Sequence, residues 1–294
     1  MFRSVAAFLV MITAVVFIVP AGASAQLVGS VKDVVDSVGS TGKVDWTTSV
    51  ITAVGIGAPP AQPANPAQAR AMAERAAQVV ALRNLLEAVK GVRVDSATTV
   101  ENFIVTSDVV KTQVNGIVQG ATIMDKKYMS DGSVEVTVGM KLTGALADAL
   151  IPKTPNAAPG SGSTAAPGAA PAMPAPGVQG QLYTGLVVDA RGLGVRPAMA
   201  PKILNEDGRE VYGSAQINRD WAVREGMAGY LKGDPASVQT NPRVADKPLV
   251  VKAIKASGEG RTDLVISNAD AAALQGASQN LSMLEKCRVI ILVD

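Results

Sequence analysis

Residues 121–142 read ATIMDKKYMSDGSVEVTVGMKL and contain the clearest structural signal in the chain. Two β-rich runs, Ala121 to Ser130 and Ser133 to Leu142, flank Asp131-Gly132, a pair that supplies the positive φ angles of a tight turn. In the second run, valines alternate with polar residues, so one face of that strand should be buried. The stretch therefore predicts an antiparallel hairpin that packs on a core.

The residues before this hairpin predict a strand and a long helix. Lys43 to Ile56 is rich in Val, Thr and Ile and predicts a strand that ends at Gly55 and Gly57. Asn65 is a suitable cap for a helix that begins at Pro66, where a missing N–H costs nothing. This helix should end at Gly91, with its apolar residues spaced by three or four: Ala69, Met72, Ala76, Val79, Leu82, Leu86 and Val89.

A shorter second helix is predicted from Ser107-Asp108 to a point between Gly116 and Gly120. The predicted fold class of this first domain is therefore α+β. We expect the order β-α-α-β-β, with helices packed on one face of a small antiparallel sheet.

The C-terminal third predicts a second, small mixed α+β domain. A hairpin is expected around Asp207-Gly208, a helix over Asp220 to Leu231, and a short helix capped by Asn268 that runs through Leu274. The predicted strands are Leu182 to Asp189, Pro248 to Lys255, Asp263 to Ile266 and Arg288 to Val293.

A proline-rich segment separates the two domains. Residues 152–180 contain seven prolines among Ala, Gly, Ser and Thr, and such a composition cannot bury enough apolar surface to offset its ordering entropy. We therefore expect a linker here, with domains at 26–151 and 181–294. Fully extended, at about 3.1 Å per residue, this linker spans roughly 90 Å.

The first 25 residues have the pattern of a cleavable signal peptide. Arg3 precedes the apolar stretch from Phe8 to Val19, and Ala23-Ser24-Ala25 matches the small residues that signal peptidase accepts, so Gln26 is the expected mature start. The alternative is an uncleaved anchor. No cysteine follows the apolar core, and no later run approaches the length of a membrane span. The predicted location is the periplasm or the exterior of a bacterial cell.

Composition argues against several classes of function. The 27 basic and 25 acidic residues nearly balance, and aromatic residues make up 3% of the chain, so nucleic acid is not the expected partner. The sequence has no histidine, which removes the most common general base near neutral pH and the most common zinc ligand. We expect no enzymatic activity, no metal and no cofactor.

The first domain resembles the Lpp-twenty lipoprotein family and the related N-terminal domain of flagellar assembly protein T. The resemblance covers residues 43–142 and is carried by an ordered series of short motifs: Ala53-Val54-Gly55-Ile56-Gly57, Ala67-Gln68-Ala69-Arg70, Arg75-Ala76-Ala77, Asn84-Leu85-Leu86, Val89-Lys90-Gly91-Val92, Thr98-Thr99-Val100 and Gly139-Met140-Lys141-Leu142. It implies an envelope protein without known enzymatic activity, of a kind found in surface lipoproteins and in flagellar basal-body rings. The anchoring cysteine of the lipoproteins is missing. Residues 182–294 look like a domain that accompanies such proteins, and this resemblance implies no function for the domain.

One set of charged residues suggests a ligand site. Asp189 ends a predicted strand, and Arg191 and Arg196 lie on the glycine-rich loop that follows. Such a loop suits a carboxylate or a phosphorylated ligand. The alternative is an ion pair that only orders the loop.

Four further features have structural interpretations. The two glycine pairs, Gly55-Ile56-Gly57 and Gly192-Leu193-Gly194, lack the third glycine of a phosphate-binding loop and are interpreted as turns. The acidic run 206–210 is interpreted as a hairpin tip. The alanine face of the first helix (Ala69, Ala73, Ala76, Ala77 and Ala81) packs on its own sheet or on a partner. Cys287, the single cysteine, is interpreted as a buried apolar residue.

Together these patterns favour a non-enzymatic periplasmic protein that acts in assembly or scaffolding. Its expected partners are other envelope proteins, with flagellar basal-body components as candidates. The sequence is compatible with oligomerisation and does not require it. The alternative function is a soluble ligand-binding module that uses the loop 189–197.

Overall fold

The computed structural model describes residues 31–151, 182–276 and 278–294. The predicted signal peptide, residues 1–25, and the predicted linker, residues 152–180, lie outside the described residues. The described chain is α+β, as predicted, with an antiparallel sheet in the N-terminal region and a second, mixed region after residue 181.

The N-terminal region is built on a five-stranded antiparallel sheet with the order β1-β2-β3-β5-β4. Its strands are β1 (Val35–Val38), β2 (Gly42–Asp45), β3 (Val50–Gly57), β4 (Thr122–Tyr128) and β5 (Val134–Lys141). The single strand predicted from Lys43 to Ile56 was wrong. Residues 46–49 form a turn, with Ser49 at a φ of 55°, that folds β2 back onto β3.

Helix α1 (Pro66–Lys90) packs across one face of this sheet. Its start is confirmed, because the Asn65 side chain accepts a hydrogen bond from the N–H of Gln68 and Pro66 occupies the first turn. The predicted apolar stripe was partly wrong, since the Met72 and Val79 side chains are about half exposed. The buried residues are mostly small: Ala73, Ala77, Ala81, Leu85, Ala88 and Val89.

Two glycines explain why the alanine face of α1 is the buried one. Gly55 and Gly57 lie on β3 and face the helix, and a Cβ atom on either would overlap with the α1 backbone between Ala73 and Ala81. The helix therefore lies unusually close to the sheet, where only methyl-sized side chains fit. The interpretation of this glycine pair as a turn was wrong, and the alanine face packs on its own sheet through Ala73, Ala77 and Ala81.

The remaining helices of this region are α2 (Val100–Thr106), α3 (Asp108–Gln119) and α4 (Ala145–Leu150). Helix α3 begins where predicted, with the Ser107 side chain as its cap, but α2 was not predicted. The β4–β5 hairpin is confirmed. Its turn uses one positive φ, 80° at Gly132, with the N–H of Gly132 donating to the carbonyl of Met129 at 3.1 Å.

The C-terminal region contains a four-stranded parallel sheet with the order β10-β6-β13-β9. Its strands are β6 (Leu186–Asp189), β9 (Gly229–Lys232), β10 (Leu249–Lys252) and β13 (Val289–Val293). All five residues of β13 are buried, as expected for a strand with neighbours on both edges and cover on both faces. The predicted strand at the C-terminus is confirmed.

A second sheet of this region has the order β11-β12-β7-β8. Its strands are β7 (Ile203–Leu204), β8 (Glu210–Tyr212), β11 (Lys255–Ser257) and β12 (Asp263–Val265). The hairpin around Asp207-Gly208 is confirmed, with Gly208 at a φ of 76°, so the acidic run is its tip.

The helices of the C-terminal region are α5 (Arg219–Glu225), α6 (Pro235–Val238), α7 (Asn268–Gln275) and α8 (Ser278–Glu285). The helix predicted over Asp220 to Leu231 was half wrong, because Gly226, at a φ of 77°, ends α5 and the chain continues into β9. The cap of α7 is Ser267 and not Asn268, since the Ser267 side chain accepts from the N–H of Asp270.

Candidate functional site

The predicted site residues Asp189 and Arg191 lie at the carboxyl end of β6, in the parallel sheet. Arg191 donates through Nε and Nη2 to the two carboxylate oxygens of Asp189, each at 2.8 Å. The hydrogen bond from Arg191 lowers the pKa of Asp189, against the opposing effect of partial burial. This bidentate pair orders the turn after β6. A ligand-binding role for the pair stays a prediction.

The loop after this pair is tied down by backbone contacts. The N–H of Gly192 donates to the Asp294 carboxylate at 2.7 Å, and the Arg261 guanidinium donates to the carbonyl of Leu193. Gly192 and Gly194 have φ values of 78° and 59°, so the interpretation of this second glycine pair as turn residues is confirmed. The loop therefore holds Arg196 in a fixed place.

Arg196, the third predicted residue, lies in a cleft between the N-terminal and C-terminal regions. The cleft has a volume of about 290 Å³. Its walls come from β1, β2, the end of α1 and the loop that carries Arg196: Asp36, Ser37, Val38, Val44, Trp46, Gly91, Val92, Arg93, Val195, Arg196 and Pro197. Arg191 is not among these residues, so the structure divides the predicted set between two places.

Arg93 is a second arginine of the cleft, and its position is fixed by both regions. Its Nε donates to the carbonyl of Pro197 at 3.0 Å, and its Nη2 donates to Asp36 Oδ2 at 3.0 Å. The same Asp36 oxygen accepts from the indole N–H of Trp46 at 3.1 Å. Sequence reasoning missed Arg93 and Asp36. The one available signal was a charged residue between Val92 and Val94, which are both buried.

Main-chain hydrogen bonds hold the two sides of the cleft together. The N–H groups of Met199 and Ala200 donate to the carbonyls of Arg93 and Val94, at 3.0 Å and 2.7 Å. These bonds join the loop after α1 to the loop after β6, so the walls belong to one packed unit. Trp46 adds an edge-to-face contact with Tyr230 on β9, with ring centroids 5.8 Å apart.

A buried polar cluster lies outside the cleft. Arg243 donates to the carbonyls of Cys287, Glu225 and Gly226, which include the last carbonyl of α5. The Tyr212 hydroxyl donates to the carbonyl of Met227 at 2.5 Å. These side chains satisfy backbone groups that would otherwise be buried without partners. Cys287 is 1% exposed, which confirms that it is a buried residue.

Across 31–151, 182–276 and 278–294, no three His, Cys, Asp or Glu side chains converge on a point where a metal ion would sit. Among the helices of these ranges, none combines the length and the apolar character required to cross a membrane.

The two regions match two separate family models. Residues 45–141 match the LPP20 lipoprotein family, which confirms the resemblance predicted for the first domain. Residues 185–294 match the second domain of Treponema pallidum Tp0624. No curated protein matches the chain. The chain thus joins a domain similar to the LPP20 lipoproteins, which marks it as a protein of the cell-envelope type, to a domain similar to the second domain of Tp0624.

Proposed function

We propose that the protein is a non-enzymatic, periplasmic assembly or scaffold protein of the cell envelope. In this proposal the five-stranded sheet presents one face to another envelope protein. The observation that carries the proposal is that α1 covers only one side of the sheet, which leaves apolar side chains exposed on the other. We call that other side the open face.

The register of the strands defines the open face. Ile51, Ala53, Gly55 and Gly57 of β3 point towards α1 and are buried, so the alternate residues of β3 point away from it. On the outward side, Val35, Ile56 and Met124 are 51%, 55% and 58% exposed. The open face consists of these three residues together with Val50, Thr52 and Val54.

Charged residues surround this apolar centre. Lys127 and Glu135 form an ion pair across β4 and β5, with Nζ and Oε1 2.9 Å apart, and Lys43 and Asp45 lie on the outward side of β2. An exposed apolar centre with a polar rim is typical of a protein–protein contact. The similarity to LPP20 lipoproteins supports a partner in the envelope.

The open face is tested by photo-crosslinking in living cells. A benzophenone amino acid at Ile56 or at Met124 should give a discrete crosslinked product, because both side chains project from the sheet. The same group at Gln113, an exposed position on α3, is the matched control. If Gln113 crosslinks as strongly as Ile56, or if neither open-face position gives a product, the proposed surface is wrong.

The periplasmic location rests on the signal-peptide pattern of residues 1–25. The expected result is a mature protein that begins at Gln26, as read by N-terminal sequencing of the material released from the periplasm. Retention of Met1 on membrane-bound material would instead support an uncleaved anchor.

A flagellar role is the narrowest form of the proposal. It rests on the resemblance of the first domain to that of flagellar assembly protein T. A C-terminally tagged protein should then co-sediment with purified basal bodies. Recovery in the soluble periplasmic fraction alone would exclude this form while leaving other envelope partners open.

The second candidate function is a soluble ligand-binding module that uses the loop 189–197. The observation that favours it is the position of Arg196 in the cleft between the two regions. Domain interfaces are preferred places for ligand sites.

A further inference from the structure

We propose that the cleft between the two regions binds the carboxylate or phosphate group of an anionic ligand, through the guanidinium groups of Arg93 and Arg196. This inference is independent of the assembly role, because the cleft and the open face use different residues.

The Arg196 guanidinium is a cation at a fixed position with its hydrogen-bond donors unused. The backbone N–H of Arg196 donates to the carbonyl of Arg261 at 3.0 Å, which anchors the residue. Its side chain is exposed and makes no hydrogen bond or ion pair with any residue in the described part of the chain. The neighbouring Arg191 and Arg261 side chains both have partners, namely Asp189 and the carbonyl of Leu193. Arg196 alone of these three arginines keeps its hydrogen-bond donors available to a ligand.

The Arg93 guanidinium is held in a fixed orientation. Its Nε and Nη2 are engaged by Pro197 and Asp36, so the guanidinium plane is fixed, while Nη1 has no partner among the described residues. A donor that is already oriented loses little conformational entropy when it binds an anion. Arg93 and Arg196 come from opposite regions of the chain, so the packing of the two regions creates the site.

The charge of the cleft also favours an anion. Its ionisable lining residues are two arginines and one aspartate, so the side chains leave one net positive charge. The Asp36 oxygen that faces the Arg93 guanidinium already accepts two hydrogen bonds, one from Arg93 and one from the Trp46 indole. The end of α1 at Gly91 contributes a partial negative charge, which opposes an anion close to the helix. The anion should therefore lie on the Arg196 side of the cleft.

The chemical class follows from these donors and from the walls. Guanidinium groups form short, charge-assisted hydrogen bonds with carboxylate and phosphate oxygens. Val38, Val44 and Trp46 provide an apolar wall for the part of the ligand that carries the anion. A carboxylate at a peptide end and a phosphate ester have the same anionic chemistry here, so the experiment must separate them.

The indole of Trp46 is a built-in reporter of binding because it lines the cleft. The chain has two tryptophans, so the full mature protein would carry Trp221→Phe to isolate the Trp46 fluorescence. It would be titrated with inorganic phosphate, with an acetylated dipeptide that has a free carboxylate, and with the same dipeptide as its amide. Sodium chloride would keep the ionic strength constant.

We expect saturable fluorescence changes with phosphate, with the free dipeptide, or with both, and none with the amide. Arg196→Gln should raise the Kd about tenfold or more, because it removes a charge-assisted hydrogen bond to the anion. Arg209→Gln, the same change of charge at the exposed hairpin tip outside the cleft, is the matched control and should leave the Kd unchanged. Thermal melting of both variants would verify the fold.

Three results would overturn the proposal. These are the lack of any saturable response above the chloride control, equal binding of the dipeptide and its amide, and wild-type affinity in a folded Arg196→Gln variant. A preference for phosphate over the free dipeptide would identify a phosphorylated ligand, and the reverse preference would identify a carboxylate.

Discussion

Cys287 shows how the environment of one residue sets its chemistry. Cys287 lies two residues before β13, has a φ of 55° and is 1% exposed. Burial raises the pKa of this thiol, against the opposing effects of the Tyr212 hydroxyl and the Arg243 charge. A neutral, inaccessible thiol is a poor nucleophile. We therefore expect Ellman's reagent to leave the native protein unmodified at mildly alkaline pH and to titrate one thiol after unfolding.

The raised pKa also predicts how the stability depends on pH. An unfolded cysteine loses its proton at about pH 8.5, whereas the folded protein keeps the proton at this pH. The folded state then binds more protons than the unfolded state, so the free energy of unfolding must fall as the pH rises through this range. The slope attributable to Cys287 is at most about 1.4 kcal/mol per pH unit.

The comparison with Cys287→Ala isolates this effect. Urea unfolding between about pH 7.5 and 9 stays below most of the range in which unfolded tyrosines titrate, which matters because burial also raises the pKa of Tyr212 and Tyr230. The variant should show a flatter dependence on pH than the wild type. Parallel curves for the two proteins would mean that Cys287 keeps an ordinary pKa.

At the scale of elements, the contact between α1 and β3 depends on missing side chains. Gly57→Ala would place a Cβ atom into the backbone of α1 at Ala73 and Ala77. Because the clash is with backbone, the helix itself must shift. Overpacking of this kind typically costs about 1–3 kcal/mol, which chemical denaturation would measure as a lower midpoint.

The control for this prediction is the same substitution where space is available. Gly116 lies inside α3, and a Cβ atom there meets no other atom within 4 Å. Gly116→Ala should therefore stabilise the protein by up to about 1 kcal/mol through helix propensity and reduced freedom of the unfolded chain. Equal effects of the two substitutions would contradict the close helix–sheet contact.

Some elements of the N-terminal region could be predicted from the sequence and others could not. Local signals placed the start of α1 at Asn65-Pro66 and the hairpin around Gly132, since caps and turns depend on neighbouring residues. The buried face of α1 was missed because the decisive factor, the close approach allowed by Gly55 and Gly57, is a tertiary contact. The break between β2 and β3 was missed because β-rich residues continue through the turn at 46–49.

At the scale of the molecule, the cleft is a product of the packing between the two regions. Arg196 could be predicted from its loop, since a cation on a glycine-rich turn after a strand is a local pattern. Arg93 and Asp36 could not, because they are 57 residues apart and become neighbours only when α1 returns beside β1. Arg93 and Asp36 could therefore be identified as residues of the cleft only from the tertiary structure.

The two regions are joined at several places besides the main-chain hydrogen bonds of the cleft. Lys32 and Lys232 exchange backbone hydrogen bonds of 2.8 Å and 3.0 Å, which adds the N-terminal segment to the edge of the parallel sheet. Arg219 on α5 forms an ion pair with Asp148 on α4, with Nη1 and Oδ1 2.6 Å apart. Trp46 packs on Tyr230. One continuous group of buried apolar residues includes members from both regions.

This packing predicts that the protein survives a cut in its middle. A protease site introduced between residues 160 and 175 should be cleaved without separation of the products, which should elute together as one species in size-exclusion chromatography. Trp46→Ala should weaken the association, because loss of a buried tryptophan typically costs about 3–5 kcal/mol. Tyr128→Ala, which removes an aromatic ring that is 54% exposed, should leave the fragments together. If the wild-type fragments separate after cleavage, the two regions are independent domains, and the cleft between them is not a stable site.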